Sequence, residues 1–128
     1  MENNRILIDT SIIIDYLRKK NKAKSQFIKL FQKYELYVSV ISIFELYNGA
    51  TTNSKRNDIK SVCNNIEIID FDLSIAKLSS EIFRNLRDKN KLIEFRDILI
   101  GATALDNNLP IATLNKKHFK RIKKLEIF

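Results

Sequence analysis

The sequence predicts an α/β domain with a mostly parallel sheet. Short, β-branched apolar runs alternate with stretches of helical apolar spacing, and no internal repeat interrupts the alternation. With only two Gly and one Pro in 128 residues, the chain lacks the turn residues of an all-β sandwich. At 45% apolar residues it can bury a core, and its length suits one domain over residues 1–128.

The elements follow in order. Residues 5–8 form an apolar run ending on Asp9, a first strand. A hydrophobic helix follows to about Arg18, with Thr10 or Ser11 placed to cap it. Ala23, Phe27, Leu30 and Phe31 are spaced 4, 3 and 1, a helical stripe within 22–34. Residues 36–40 alternate as a second strand, and 41–50 read as helix. A shorter helix over 54–64 precedes a third strand at 66–69. Asp72 can cap the next helix, whose face is Ile75, Leu78, Ile82, Phe83 and Leu86. Asp97 begins a helix apolar nearly all round, which implies burial. Residues 111–113 form a short strand, and 125–128 are a candidate last one.

Lys and Arg number 23 against 15 Asp and Glu, a net charge of +8. A small protein this basic attracts polyanions, most often nucleic acid, although lysine-rich surfaces also serve solubility. The charge gathers at residues 18–24 and 116–124. A single Cys excludes an internal disulfide and a cysteine-based metal site, and suits a reducing cytoplasm. No apolar run approaches the roughly 18 residues of a membrane span, so no membrane association is expected.

Three acids stand against apolar pattern. Asp9 closes the first strand, Glu45 lies within the run ISIFELY, and Asp97 heads the buried helix. Desolvating a carboxylate is costly, so each needs a cation, hydrogen bonds or a helix N-terminus. In a parallel sheet, ligands collect at the carboxyl ends of strands, where Asp9 sits and where the other two could reach. Taken singly, Asp9 and Asp97 could be N-caps and Glu45 an exposed helix residue. Taken together, they suit a hard cation, Mg²⁺ or Mn²⁺, and one His with one Cys makes zinc a poor match.

Four blocks carry a resemblance: ILIDTSIIIDYL (6–17), VSVISIFELYNGA (38–50), FRDILIGATAL (95–105) and LPIATLNKKHF (109–119). In this order they resemble the PIN domain, and in particular the VapC-type toxins of toxin–antitoxin pairs. The resemblance implies a three-layer α/β/α fold with a sheet of four or five strands. It also implies a metal-dependent endoribonuclease acting on RNA, leaving a 5′-phosphate and a 3′-hydroxyl. Asp9, Glu45 and Asp97 match the first three family acids. Asp9 and Asp97 would hold the cation, with Glu45 ligating directly or through water, or taking the proton. Thr10 or Ser11 would support the first acid. Where many members carry a fourth Asp, this sequence has Asn115, which supplies no charge and leaves the number of metals open. An antitoxin partner and a homodimer are likewise implied by family.

Asp15, one turn beyond Ser11, reads as structural or substrate-orienting, and His118 as a surface or capping residue. Two other readings compete with the nuclease. One is a non-catalytic RNA-binding or regulatory module; the other is a partner-binding protein whose acids are only caps. Geometry separates them: a nuclease requires Asp9, Glu45 and Asp97 to meet in one cleft.

Overall fold

The structure, a computed structural model, describes residues 4–128. Four parallel strands form one sheet in the order β3-β2-β1-β4: β1 (Arg5–Ile8), β2 (Glu35–Ser39), β3 (Glu67–Ile69) and β4 (Ile111–Ala112). Ile6 pairs with Leu36 and Ile8 with Val38, while Leu7 pairs with Ile111. The tail adds one bridge, Ile127 to Ile111, rather than a full last strand.

Alternation in β1 divides the core. Ile6 and Ile8 face the helices α1 (Thr10–Arg18), α2 (Gln26–Phe31), α3 (Val40–Asn48) and α4 (Asn53–Cys63), through partners such as Ile13, Leu30, Leu46 and Ile59. Leu7 faces α5 (Leu73–Asp88), α6 (Phe95–Asp106) and α7 (Lys116–Phe119), against Ile75, Leu86, Ile98 and Phe119. Both faces of the parallel sheet are thus covered, which makes three layers. The connections from β1 to β2 and β2 to β3 run over the first face. The connection from β3 to β4 runs over the second. Neighbours of β1 therefore lie on opposite sides in chain order, and a crevice opens beyond its carboxyl end.

Side-chain caps moved several boundaries. The stripe over 22–34 is not one helix: Asn21 caps a 3-10 turn at residues 22–24, then Ser25 Oγ accepts from Ile28 N at 3.3 Å and starts α2 afresh. Ser39 Oγ accepts from Ile41 N at 3.0 Å, which ends β2 and opens α3 one residue earlier than expected. The first helix is capped by Asp9, not by Thr10 or Ser11. Asp97 does not begin α6; the helix starts at Phe95 and Asp97 lies in its first turn, where an acid suits the helix dipole.

With so few glycines, the chain turns at asparagines. Asn90 and Asn108 take φ of 58° and 55° after α5 and α6, the left-handed conformation asparagine tolerates best after glycine. Lys91 N and Leu109 N then donate to Leu86 O and Ala104 O, closing those helix ends. Gly101 is used for close approach: a Cβ there would collide with Ile122, so its absence lets α6 lie against the segment after α7.

Candidate active site

Asp9 is the best-anchored acid among the described residues. It follows β1 directly and is 2% exposed. Oδ1 accepts from Ser11 N (3.0 Å), Ser11 Oγ (2.5 Å) and Ile12 N (3.4 Å). Oδ2 accepts from Thr113 Oγ1 at 2.6 Å, and Thr113 is buried just after β4. Burial pushes the Asp9 carboxyl above its usual range; bonds from Ser11, Thr113 and Ile12 pull it down, and the Asp97 charge pushes it up again. Asp9 is therefore an N-cap, but one whose carboxylate is buried within the field of a second acid.

Glu45 and Asp97 reach the same sheet edge from α3 and α6. Thr10 Oγ1 donates to Glu45 Oε1 at 2.6 Å and lies 2.9 Å from Ser42 Oγ, so the residue after Asp9 fixes Glu45. The other Glu45 oxygen, Oε2, pairs with Arg96 Nη1 at 2.9 Å. Asp97 Oδ2 accepts from His118 Nδ1 at 2.8 Å. Thr10, the residue after Asp9, and Arg96, the residue before Asp97, both bond Glu45, and the Asp97 charge acts on Asp9. Among the described residues, no group of three or more His, Cys, Asp or Glu side chains stands ready to hold a metal ion.

The supporting residues divide. Ser11 and Thr10 each bond an acid, and Ser11 Oγ also accepts from Leu114 N at 3.0 Å. Asn115 is exposed; its backbone N donates to Thr113 Oγ1 at 2.8 Å, and its side chain makes no capping bond to α7. Asp15 is engaged in structure: it accepts from Lys19 Nζ at 3.0 Å and Gln26 N at 3.3 Å, which ties α1 to α2. The Lys19 bond holds its carboxyl below the usual range.

Three residues at the site carried no site role in the sequence reading. Thr113 directly follows the short fourth strand, and a β-branched residue there looks like strand filling. Arg96 precedes Asp97, and its position on a helix start gives no sign that it crosses to α3. His118, expected at the surface, is 42% exposed yet bonded to Asp97. No helix among the described residues is long and apolar enough to cross a membrane.

A three-layer parallel fold with acids at the carboxyl edge of its central strand defines a class, and the family model for the PIN domain matches residues 6–125. The chain belongs to the PIN domain family, in its VapC branch. It is 32% identical over 122 residues to Ribonuclease VapC1 of Methanocaldococcus jannaschii, covering 95% of this chain and 84% of that protein. It is 34% identical to Ribonuclease VapC of Rickettsia bellii, covering 95% and 93%. Among solved structures, VapBC2 of Rickettsia felis bound to a promoter DNA fragment superimposes with a TM-score of 0.83 at 22% identity, covering 97% of each chain. FitAcB of Neisseria gonorrhoeae gives 0.79 at 25% identity, covering 96% of each.

Proposed function

We propose that this protein is a metal-dependent endoribonuclease, the toxin of a toxin–antitoxin pair, working with Mg²⁺ or Mn²⁺ on RNA. The observation that carries the reading is Asp9: a buried carboxylate at the carboxyl end of the central strand, repelled by Asp97, in a protein of net charge +8. Keeping acids in such a positive surface is intelligible if a cation joins them. The names of the similar VapC proteins support the same activity.

The donor chemistry fits a hard cation, since every candidate ligand is a carboxylate oxygen. Asp9 and Asp97 would hold it, with Glu45 directly or through water. When bound, the cation supplies Lewis-acid stabilisation of a phosphate oxygen and a more acidic water. The chain does the rest. Ser11, Thr113 and the Ile12 N–H fix both oxygens of Asp9, so its orientation survives the absence of solvent. Thr10 aims Glu45, which can position or deprotonate the attacking water. Arg96 pairs with Glu45, and His118 Nδ1 hydrogen-bonds Asp97. Exposed lysines of the 116–124 cluster would hold phosphates without reading sequence.

The remaining features of the reading are an antitoxin that covers the site through an acidic segment, a homodimer, and Asn115 as a neutral member beside the acids. The test is cleavage of total RNA with Mg²⁺ or Mn²⁺, with EDTA, and by Asp9→Asn. Scission that needs metal and Asp9 is expected. Equal cleavage by Asp9→Asn would sink the catalytic reading, and salt-sensitive RNA binding without scission, unchanged by EDTA, would favour a non-catalytic module.

A further inference from the structure

Between α1, α3 and α4 lies a cavity of about 300 Å³ that shares Glu45 with the acidic site. That volume is at the lower end of small-molecule sites. Leu17, Leu46 and Ile59 give it an apolar floor, while exposed Arg18, Lys55 and Asp58 stand at its rim. Neighbouring charges are committed to the fold. Lys19 pairs with Asp15, Lys22 Nζ donates to the Tyr16, Leu17 and Lys19 carbonyls, and Arg56 donates to Ala50 O and Asn53 Oδ1. Arg18, Lys55 and Asp58 have no side-chain hydrogen bond or ion pair among the described residues. Unpartnered cations and an unpartnered acid thus stand together at the rim of this cavity.

We propose that this cavity is a subsite for one unstacked nucleotide of single-stranded RNA, next to the phosphodiester that is cut. The proposal deepens the ribonuclease reading and rests on it for the identity of the polymer. A nucleotide presents what the lining asks for: flat apolar faces for the floor, a phosphate for Arg18 and Lys55, and an amino group for Asp58. In a paired A-form helix the base is stacked away and cannot enter, so the subsite selects single strands or loops. A helical protein segment fits less well. It needs apolar anchors over two or more turns, a longer surface than a cavity of about 300 Å³ offers. The carboxylate of Asp58 accepts from the cytosine amino group but repels the uracil carbonyl at the same position, which makes the subsite prefer cytidine to uridine.

Gly49 supplies the blocking variant. It lines the cavity with φ of −89°, and a Cβ there meets nothing closer than 3.7 Å. Gly49→Trp is therefore admitted by the backbone and adds an indole at the cavity wall as the blocking group. Labelled single-stranded RNA hexamers, C6 and U6, are titrated by fluorescence anisotropy in EDTA against wild type, G49W, D58N and the double variant R18A/K55A. Circular dichroism checks each fold; the last two replace only exposed side chains. Wild type is expected to bind C6 about threefold more tightly than U6, the scale of one net hydrogen bond. D58N removes that preference, and G49W removes it while weakening C6. R18A/K55A weakens both and lowers the slope of log K against log salt by about 0.7, one single-strand phosphate contact.

Folded G49W that binds C6 and U6 as wild type does overturns the subsite. So does loss by G49W of binding to an acidic leucine–glutamate peptide with hexamer binding unchanged, which assigns the cavity to a protein segment. The hexamer titration involves neither metal nor scission. Failure of wild type to cleave RNA with metal therefore counts against the nuclease alone, and an unmoved hexamer preference against the subsite alone.

Discussion

Thr113 donates its hydroxyl to Asp9 Oδ2 at 2.6 Å, joining residues 104 apart in the chain. The same hydroxyl oxygen accepts from Asn115 N at 2.8 Å. One side chain thus fixes a buried acid on β1 and the loop that follows β4. Thr113→Val keeps the shape but leaves an acid oxygen and a backbone N–H without this partner. A loss of about 1–3 kcal/mol is expected in urea unfolding, with Thr113→Ser recovering most of it. A cost near zero for Val would mean that solvent replaces the bond.

The raised pKa of Asp9 carries a sign. A carboxyl that holds its proton more tightly folded than unfolded stabilises the fold at low pH. That contribution fades as pH rises from the unfolded value of 3.8 through the folded one. At neutral pH without divalent cations, ionised Asp9 is a liability. Asp9→Asn, measured in EDTA at pH 7, should therefore melt higher by about 4 °C, on the order of 1 kcal/mol for a domain of this size, while losing cleavage. The gain should shrink as pH falls through the raised folded value of Asp9 and be gone by about 3.8. A lower Tm for Asp9→Asn at pH 7 would show that its hydrogen bonds outweigh its burial.

The Glu45–Arg96 pair calls for a different expectation. Arg96 is 55% exposed in its side chain, so solvent screens the attraction. A double-mutant cycle with Glu45→Gln and Arg96→Gln should give a coupling of about 0.2–1 kcal/mol in stability. Calorimetric titration with Mn²⁺ alone should be affected more, because Arg96→Gln frees a carboxylate oxygen. Tighter Mn²⁺ binding by Arg96→Gln is expected, and weaker binding would make the arginine a support of the site rather than its counter-ion.

The basic cluster at 18–24 should separate into two kinds of lysine. Lys22 Nζ closes three carbonyls at the end of α1 and lies 4.9 Å from the Tyr16 ring centroid. Lys22→Ala is expected to cost about 1 kcal/mol of stability. Lys20 and Lys24 are exposed and make no such bonds, so their replacement should leave Tm unchanged. Either replacement should lower the salt slope of RNA binding by about 0.7 if that lysine meets a phosphate. Equal Tm losses at all three positions would erase the distinction.

Local pattern alone determined the alternation of strands and helices, the covered parallel sheet and the three acids that stand against apolar surroundings. Burial and periodicity are written in nearest neighbours, and four blocks in order carried the family. Pairing between distant segments decided the rest. Nothing near Asp9 says that Thr113 will meet it, nor that Arg96 will cross to Glu45 or His118 to Asp97, because those contacts depend on strand order and helix placement. The same cause separates Lys22 from Arg18: both are basic residues in one run, yet the fold turns one onto carbonyl groups and leaves the other beside an open cavity. Charge is a property of the sequence, whereas the partner that spends or frees it is a property of the packed chain.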